Sequence, residues 1–496
     1  MARMIIIKKL DFINSGDQAS SHTFENVIFR MDQIQCNEYI SSLVFVNCVF
    51  EQGLKVEGLS SSDYIHFDNC EFLHQTGLYI LDCKLHSLCI WDCVLSGNSD
   101  NYFKLFTGIL PETLLIKNSN IETVSIINSK FNFEAQNSLF RKKFKYYAVD
   151  QKNTLNADQQ EKEFPELYLY FGSTIFSRAK IDIRVPRIES ITFEQLDDKN
   201  CQKKQLEIHD KGMVSIKSDR IKNFYVQNVS FTNSYIDLEN VPIHVFEAKF
   251  SRLGNHLNMA IARLYDENDR KIISLEIIQS TIVESKFSGR EFDNRLNFTK
   301  TFFHLPPIFY ETKIPEGSVF PNRRYFDFIY DENKLVDSLN AFRYLRKAME
   351  DRRDRDAEGQ FYLLEQETKK RLDKIEGTNS FFRMLYGFLS DYGTDYVKPL
   401  LVLFSSTIIF TIYYAILLSP ILSWSLPFDW DLIGRSLHFS VKQVVLPFWS
   451  IKDLTPLFGK DIQTSGVLFL SFVQSLISGI SITLAILALR WKFKRG

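Results

Sequence analysis

Phe45–Phe50 reads FVNCVF and Phe67–Phe72 reads FDNCEF: an apolar residue, any residue, Asn, Cys, any residue, an apolar residue. The same pattern recurs as FENVIF at Phe24, ILDCKL at Ile80, IWDCVL at Ile90, IKNSNI at Ile116 and IINSKF at Ile126. Weaker copies follow as VQNVSF at Val226, VFEAKF at Val245 and IIQSTI at Ile277. The early copies stand near 21 or near 10 residues apart, a period that suits coils or half-coils of a β-solenoid. Each copy alternates as a strand does, and its Asn or Asp with a small neighbour suits a corner at which side-chain amides stack coil upon coil. The reading is an irregular solenoid over residues 1–320, of the right-handed β-helix kind, with its largest interruption at 133–223. Cys48, Cys70, Cys83 and Cys93 share one repeat position with Ser119 and Ser129, which predicts a ladder of small buried side chains.

The 496 residues have a formal net charge of -1, which gives no overall attraction to polyanions. The start, MARMIIIKKLDF, holds only Met4 to Ile7 as an apolar core, too short for a signal peptide. The seven cysteines, at 36, 48, 70, 83, 89, 93 and 201, therefore belong to a reducing compartment and match no common zinc spacing. No phosphate loop, nucleophile elbow or H-E-x-x-H pair occurs, and His66, His74 and His86 lack matching ligands, so neither enzyme activity, a metal nor a cofactor is expected.

Beyond Tyr330 the period becomes helical. Leu335, Leu339, Phe342 and Leu345 mark one face, the charge-dense EDRRDRDAEG interrupts it, and Phe361 and Leu364 resume it with the pairs Glu365 with Lys369 and Glu367 with Arg371. A helical hairpin and juxtamembrane linker over 330–395 follow from this. The last part, 396–496, carries two uncharged apolar runs, Leu400–Leu418 and Gly466–Leu489, each long enough for a ~30 Å hydrocarbon core. The second ends in Arg490, Lys492, Lys494 and Arg495, a basic anchor that predicts cytoplasmic N- and C-termini and lipid as a partner.

Between the runs, FDWDLIGRSLHFSVKQVVLPF at Phe428 to Phe448 is helix-length, largely apolar and too short to span. It reads as a re-entrant helix holding Ser436, Phe439, Ser440 and Lys442 and closed by Pro447 and Phe448, the arrangement of a pore domain. An interfacial amphipathic helix is the alternative. In the second run, Ser471, Gln474, Ser475, Ser478, Gly479 and Ser481 recur at helical intervals on one side. In lipid that side must face either a close helix neighbour or a conduit, and a conduit needs several copies of the chain.

The 133–223 stretch contains FRKKFKYY, in which Arg141, Lys142, Lys143 and Lys145 alternate with aromatics including Tyr146 and Tyr147. Basic groups beside aromatic faces can hold phosphates and stack bases, and can equally form a solvated face or an oligomer contact.

The run AFRYLRKAMEDRRDRDAEGQFYLLEQETKKR from Ala341, with LSDYG at Leu389 and KPLL at Lys398, resembles the segment joining cytoplasmic pentapeptide-like repeats to a two-span, potassium-channel-like pore domain in a group of bacterial proteins. On that resemblance SLHFSVKQVVLPF from Ser436 occupies the pore-helix place and Gly479 that of an inner-helix hinge. Leu446, Pro447, Phe448 and Trp449 stand where a TVGYG-like filter would be, so potassium selectivity does not carry over. A soluble sensor joined to a small pore is also similar to antiphage effectors, including those of Hailong-type systems, in which the oligonucleotide product of a partner nucleotidyltransferase governs an ion channel. The resemblance implies a homotetrameric channel of the bacterial inner membrane with a nucleotide or oligonucleotide ligand. The rival expectation is a membrane-tethered scaffold whose solenoid binds a protein partner.

Overall fold

A computed structural model describes most of residues 5–493; outside it lie residues 1–4, 8–19, 36–39, 96–102, 107–112, 148–166, 195–205, 208–212, 327–333, 376–380, 419–429, 446–464 and 494–496, with shorter gaps between strands of the first half. The chain forms two units, Met1–Asp331 and Glu332–Gly496.

The first unit is the expected β-solenoid. One of its sheets has 11 strands, all parallel and in chain order from Ser20–Glu25 to Ser274–Ile278; a second has 17 strands. The motif positions fall into register, so that Phe24 lies opposite Phe45 and Phe45 opposite Phe67. Their rings stack at 5.3 and 5.0 Å, while Phe29, Phe50 and Phe72 form a second column at 4.9 and 4.6 Å. The columns meet edge to face, with Phe45 and Phe50 at 5.5 Å. Repetition at one spacing thus converts a bulky side chain into an interdigitated core, the geometry that aromatic quadrupoles favour.

The motif's Asn is a backbone requirement. Asn26, Asn47, Asn69, Asp92 and Asn228 all have φ between 50° and 56°, the left-handed region that Asn and Asp tolerate best among residues with a Cβ. After Asn26, Asn47, Asn69 and Asp92 the chain passes from the 11-stranded sheet to the 17-stranded one. The amides also stack, with Asn69 Nδ2 donating to Asn47 Oδ1 at 2.6 Å.

The residue after the corner makes the ladder. Ser119 Oγ donates to Lys117 O at 2.8 Å and accepts the N–H of Cys93 at 3.2 Å; Cys93 Sγ donates to Trp91 O and accepts the N–H of Cys70 at 3.4 Å. Ser138, Ser251 and Ser280 repeat the scheme. A small side chain that both donates and accepts meets this need, so Cys and Ser interchange there. Cys48 and Cys70 are buried in the ladder, and Cys83 and Ser129 lie outside the described residues.

Three expectations change. The interruption at 133–223 is occupied by coils: Asn132–Gln136, Leu139–Tyr147, Leu167–Gly172, Lys180–Arg184 and Arg187–Glu194 pair in parallel with their neighbours. Within 133–223 no described residue has the left-handed corner, while strand alternation persists. The weak copy at Val245 has Glu247 in the place of the motif's Asn, but Ile243–Lys249 is one unbroken strand and the corner is Phe250, with φ 52°. Coil pairing runs on to a bridge between Phe303 and Phe326, beyond the expected limit at 320.

The second unit begins with a helical hairpin, α1 (Leu335–Asp351) and α2 (Arg355–Ile375), broken at Arg353 with φ 62°. Glu365 does not pair along its own helix with Lys369 as the spacing suggested. It lies on the buried face of α2 beside Phe361, Leu364 and Thr368, where Arg343 Nε donates to its Oε1 at 3.0 Å and Arg346 Nε stands 3.0 Å from its Oε2. A short helix, α3 (Phe381–Ser390), then turns through Asp391, Tyr392 and Gly393, all at positive φ. Gly393, at φ 80°, holds a backbone conformation that glycine adopts without strain, and a Cβ there would come within 2.3 Å of the Tyr386 hydroxyl, so that side chain would have to shift. Three helices complete the unit: α4 (Val397–Leu418), α5 (Trp430–Val445) and α6 (Ser465–Phe493). Val397–Leu417 and Gly466–Arg490 are long and apolar enough to cross a membrane.

Candidate functional site

The chemistry-bearing side chains of the second unit converge where α5 packs on α4 and α6. Phe410 and Tyr414 of α4, Phe439 of α5 and Val467 of α6 form an apolar centre, with the Tyr414 and Phe439 rings 5.1 Å apart and edge to face. Around it runs a buried polar network. Tyr414 donates its hydroxyl to Gln474 Oε1 at 2.9 Å, and Gln474 Nε2 donates to Ser440 O at 3.1 Å and Oγ at 2.7 Å. Ser440 Oγ donates to Thr407 O at 3.0 Å, Gln443 Nε2 donates to Ser471 Oγ, and Ser475 Oγ donates to Gln443 Oε1. In a medium without water each amide and hydroxyl needs such a partner. Ser436 Oγ and Ser478 Oγ are buried without one.

The predicted small polar face of α6 is therefore real as a face and closed as a surface. Ser471, Gln474, Ser475 and Ser478 are 0% exposed and Ser481 2%, so within one chain these groups are turned away from solvent, with Ser471, Gln474 and Ser475 bonded to α5 and Gln474 also to α4. Gly479 is half-buried in an unbroken α6, and a Cβ added there would meet nothing within 4 Å. On α5, Ser436, Phe439 and Ser440 are buried and Lys442 is half-buried, while Pro447 and Phe448 lie outside the described residues.

Sequence reasoning missed Thr407, Tyr414 and Gln443. Gln443 had a signal: an uncharged amide with long reach, placed three residues after Ser440 and seven after Ser436, completes one helical face. Tyr414 offered the hydroxyl of an otherwise apolar run.

The cost of the network's centre can be read by substitution. Gln474→Leu leaves Tyr414 and Ser440 without partners and should lower the unfolding free energy of the detergent-solubilised protein by about 1–2 kcal/mol, whereas exposed Leu476→Ala should change it little. Equal effects of the two in a denaturant titration would show that the network stabilises nothing.

Elsewhere the candidates separate. The basic aromatic run is the strand Leu139–Tyr147, in which Phe144 is buried; the side chains of Arg141, Lys142, Lys143, Lys145, Tyr146 and Tyr147 are outside the described set. By register Lys145 lies opposite Asp182, and Tyr147 opposite Arg184. The Cys48 thiol is pushed up, well beyond the ordinary thiol range, by its hydrogen bond with Cys70 and by burial, and burial raises Cys89, so both remain protonated and poorly suited to nucleophilic or metal chemistry. Among the described residues no group of three or more His, Cys, Asp or Glu could hold a metal ion. No protein-family model matches the chain, and no curated protein or solved structure is significantly similar to it.

Proposed function

We propose that the chain is one subunit of a homo-oligomeric ion channel in a bacterial inner membrane, gated by a ligand or partner that its cytoplasmic solenoid senses. The observation that carries this reading is the depth of α5. Thr407 lies midway along α4, at ~15 Å from either end. Its carbonyl accepts the Ser440 hydroxyl. If α4 crosses a bilayer, Ser440 is at mid-depth, while α5, with 16 residues and a length of ~24 Å, is too short to reach the far side. A segment that enters and must return leaves backbone at a depth where only protein or a water-filled cavity can satisfy it. Two spans cannot enclose such a cavity alone, so several copies, four on the resemblance noted above, surround it.

The solenoid supplies the sensing surface in this reading, with a nucleotide or oligonucleotide from a partner enzyme as the expected ligand and membrane depolarisation in antiviral defence as the expected output. The test is imaging of single particles of the detergent-solubilised full chain, paired with a potential-sensitive dye during expression. A ring of copies with α5 directed at its axis is expected, together with loss of membrane potential once the trigger is present. Monomeric particles would refute the channel and leave the tethered scaffold.

A further inference from the structure

The short helix α3, at ~15 Å, cannot cross a bilayer, and its residues divide into two sides. At ~100° per residue the positions of Phe381, Met384, Leu385 and Phe388 share an arc about 100° wide. Phe388 is 76% and Met384 48% exposed, and Leu385 is half-buried. Roughly opposite, the helix is turned to its own chain. Arg383 forms an ion pair with Asp373 of α2, and Ser390 Oγ donates to Tyr386 O at 2.9 Å and accepts the Gly393 N–H at 3.0 Å. The Tyr386 ring meets that of buried Tyr392 edge to face at 6.0 Å, and a Cβ on Gly387 would come within 2.8 Å of the same Tyr392 ring.

Water, a second copy of the chain and lipid compete for the open arc. Water leaves a large aromatic side chain three-quarters exposed beside two other apolar residues. A protein partner would be met with hydrogen-bonding groups, about one bond per 100–200 Å² of interface, and the arc offers only hydrocarbon and one thioether. Lipid asks for neither. The start of α4 sets the level: Asp391 pairs with Lys398 at 3.6 Å, and Asp395 Oδ1 accepts the Val397 N–H at 2.8 Å. Charges that stay at a membrane–water boundary thus occupy the turn from α3 to α4 and the first turn of α4. Because α3 packs back on α4 and α6, it stands at that boundary and does not lead away from it. The first turns of α4 beside it are open and apolar too, with Leu400, Leu401 and Phe404 45%, 61% and 68% exposed.

Resting on the reading of α4 and α6 as membrane spans, we propose that α3 lies in the leaflet where α4 begins, with Met384 and Phe388 set between the phospholipid headgroups and the upper acyl chains. An amphipathic helix with its polar side engaged and its apolar side free binds a bilayer in this way. The ion pair of Arg383 with Asp373 then ties the end of α2, and so the hairpin, to the membrane surface.

The experiment reads depth directly. Full-length Phe388→Trp is placed in phosphatidylcholine nanodiscs whose lipids carry bromine either high on the acyl chains or near their ends, with the parent's five tryptophans as the emission baseline. Phe404→Trp on α4 and Phe469→Trp on α6 serve as references within the spans, and particle size equal to that of the parent confirms that each variant assembles. The emission added at 388 should be quenched, and more strongly by the high bromines than by the deep ones. It should also resist acrylamide, a quencher dissolved in water. No quenching by either lipid at 388, with quenching at 404 or 469, overturns the proposal and leaves the spans standing; acrylamide then tells whether water or a second copy covers α3. Stronger quenching at 388 by the deep bromines also overturns it, because α3 would then lie within the hydrocarbon. Absence of quenching at all three positions overturns the membrane reading itself.

Discussion

Truncating Phe50 to alanine should cost the solenoid about 3–5 kcal/mol, among the largest losses available to a single side chain in this molecule. Phe50 is fully buried and touches both aromatic columns, stacked at 4.9 and 4.6 Å on Phe29 and Phe72 and edge-on to Phe45 and Phe67 at 5.5 and 6.0 Å. Parallel pairing holds the backbone of Val49 and Phe50 between those of the coils before and after, so the walls cannot close over the void and the cavity penalty adds to the lost transfer energy. Hydrogen exchange is the informative measurement. Protection should fall around Asn26–Phe72 and stay near its wild-type level from Asn228 onward, because a coil touches only its neighbours. Uniform loss along the whole solenoid would mean that it melts as one cooperative body, against this account. Phe50→Leu should recover most of the stability.

The second large effect belongs to the hairpin. Arg343→Met with Arg346→Met should destabilise α1 and α2 by about 3–5 kcal/mol, since it leaves the Glu365 carboxylate, only 7% exposed, without either cation. Adding Glu365→Leu should restore most of the loss, because a buried ionic cluster is replaced at little cost by apolar groups of similar volume. Far-ultraviolet circular dichroism against urea separates the two variants. If the triple variant is no more stable than the double one, the arginines act by packing their aliphatic stems on α2 and not by charge.

The part of the fold that was legible in the sequence is the part where geometry is periodic. The corner needs a left-handed residue and the ladder needs a small donor-acceptor, so Asn47–Cys48 and Asn69–Cys70 announce a coil on their own. Where other residues occupy the corner, as Phe250 and Lys300 do at φ 52° and 56°, the same backbone is present without its letter, and the coil is found only through its strand register. The C-terminal helices show the complementary limit. Helical phase puts the serine and glutamine residues of α6 on one face, but phase says only that a face differs, not what it meets. Whether Gln474 faces water or Ser440 is decided by a partner helix, and that partner is invisible to a pattern read along one helix.

The nearest-neighbour stacking of the first unit has a consequence for how such a protein can change. Backbone bonds such as Asn47 N to Asp68 O and Asn69 N to Trp91 O join each coil to the next through the same atoms at the same places. A duplicated coil would find its two docking surfaces ready made, and a deleted one would leave two that still fit. Length is therefore an adjustable quantity in this scaffold: a lineage can lengthen or shorten the solenoid by whole coils, at a stability change close to one interface per coil, without redesigning the rest of the chain.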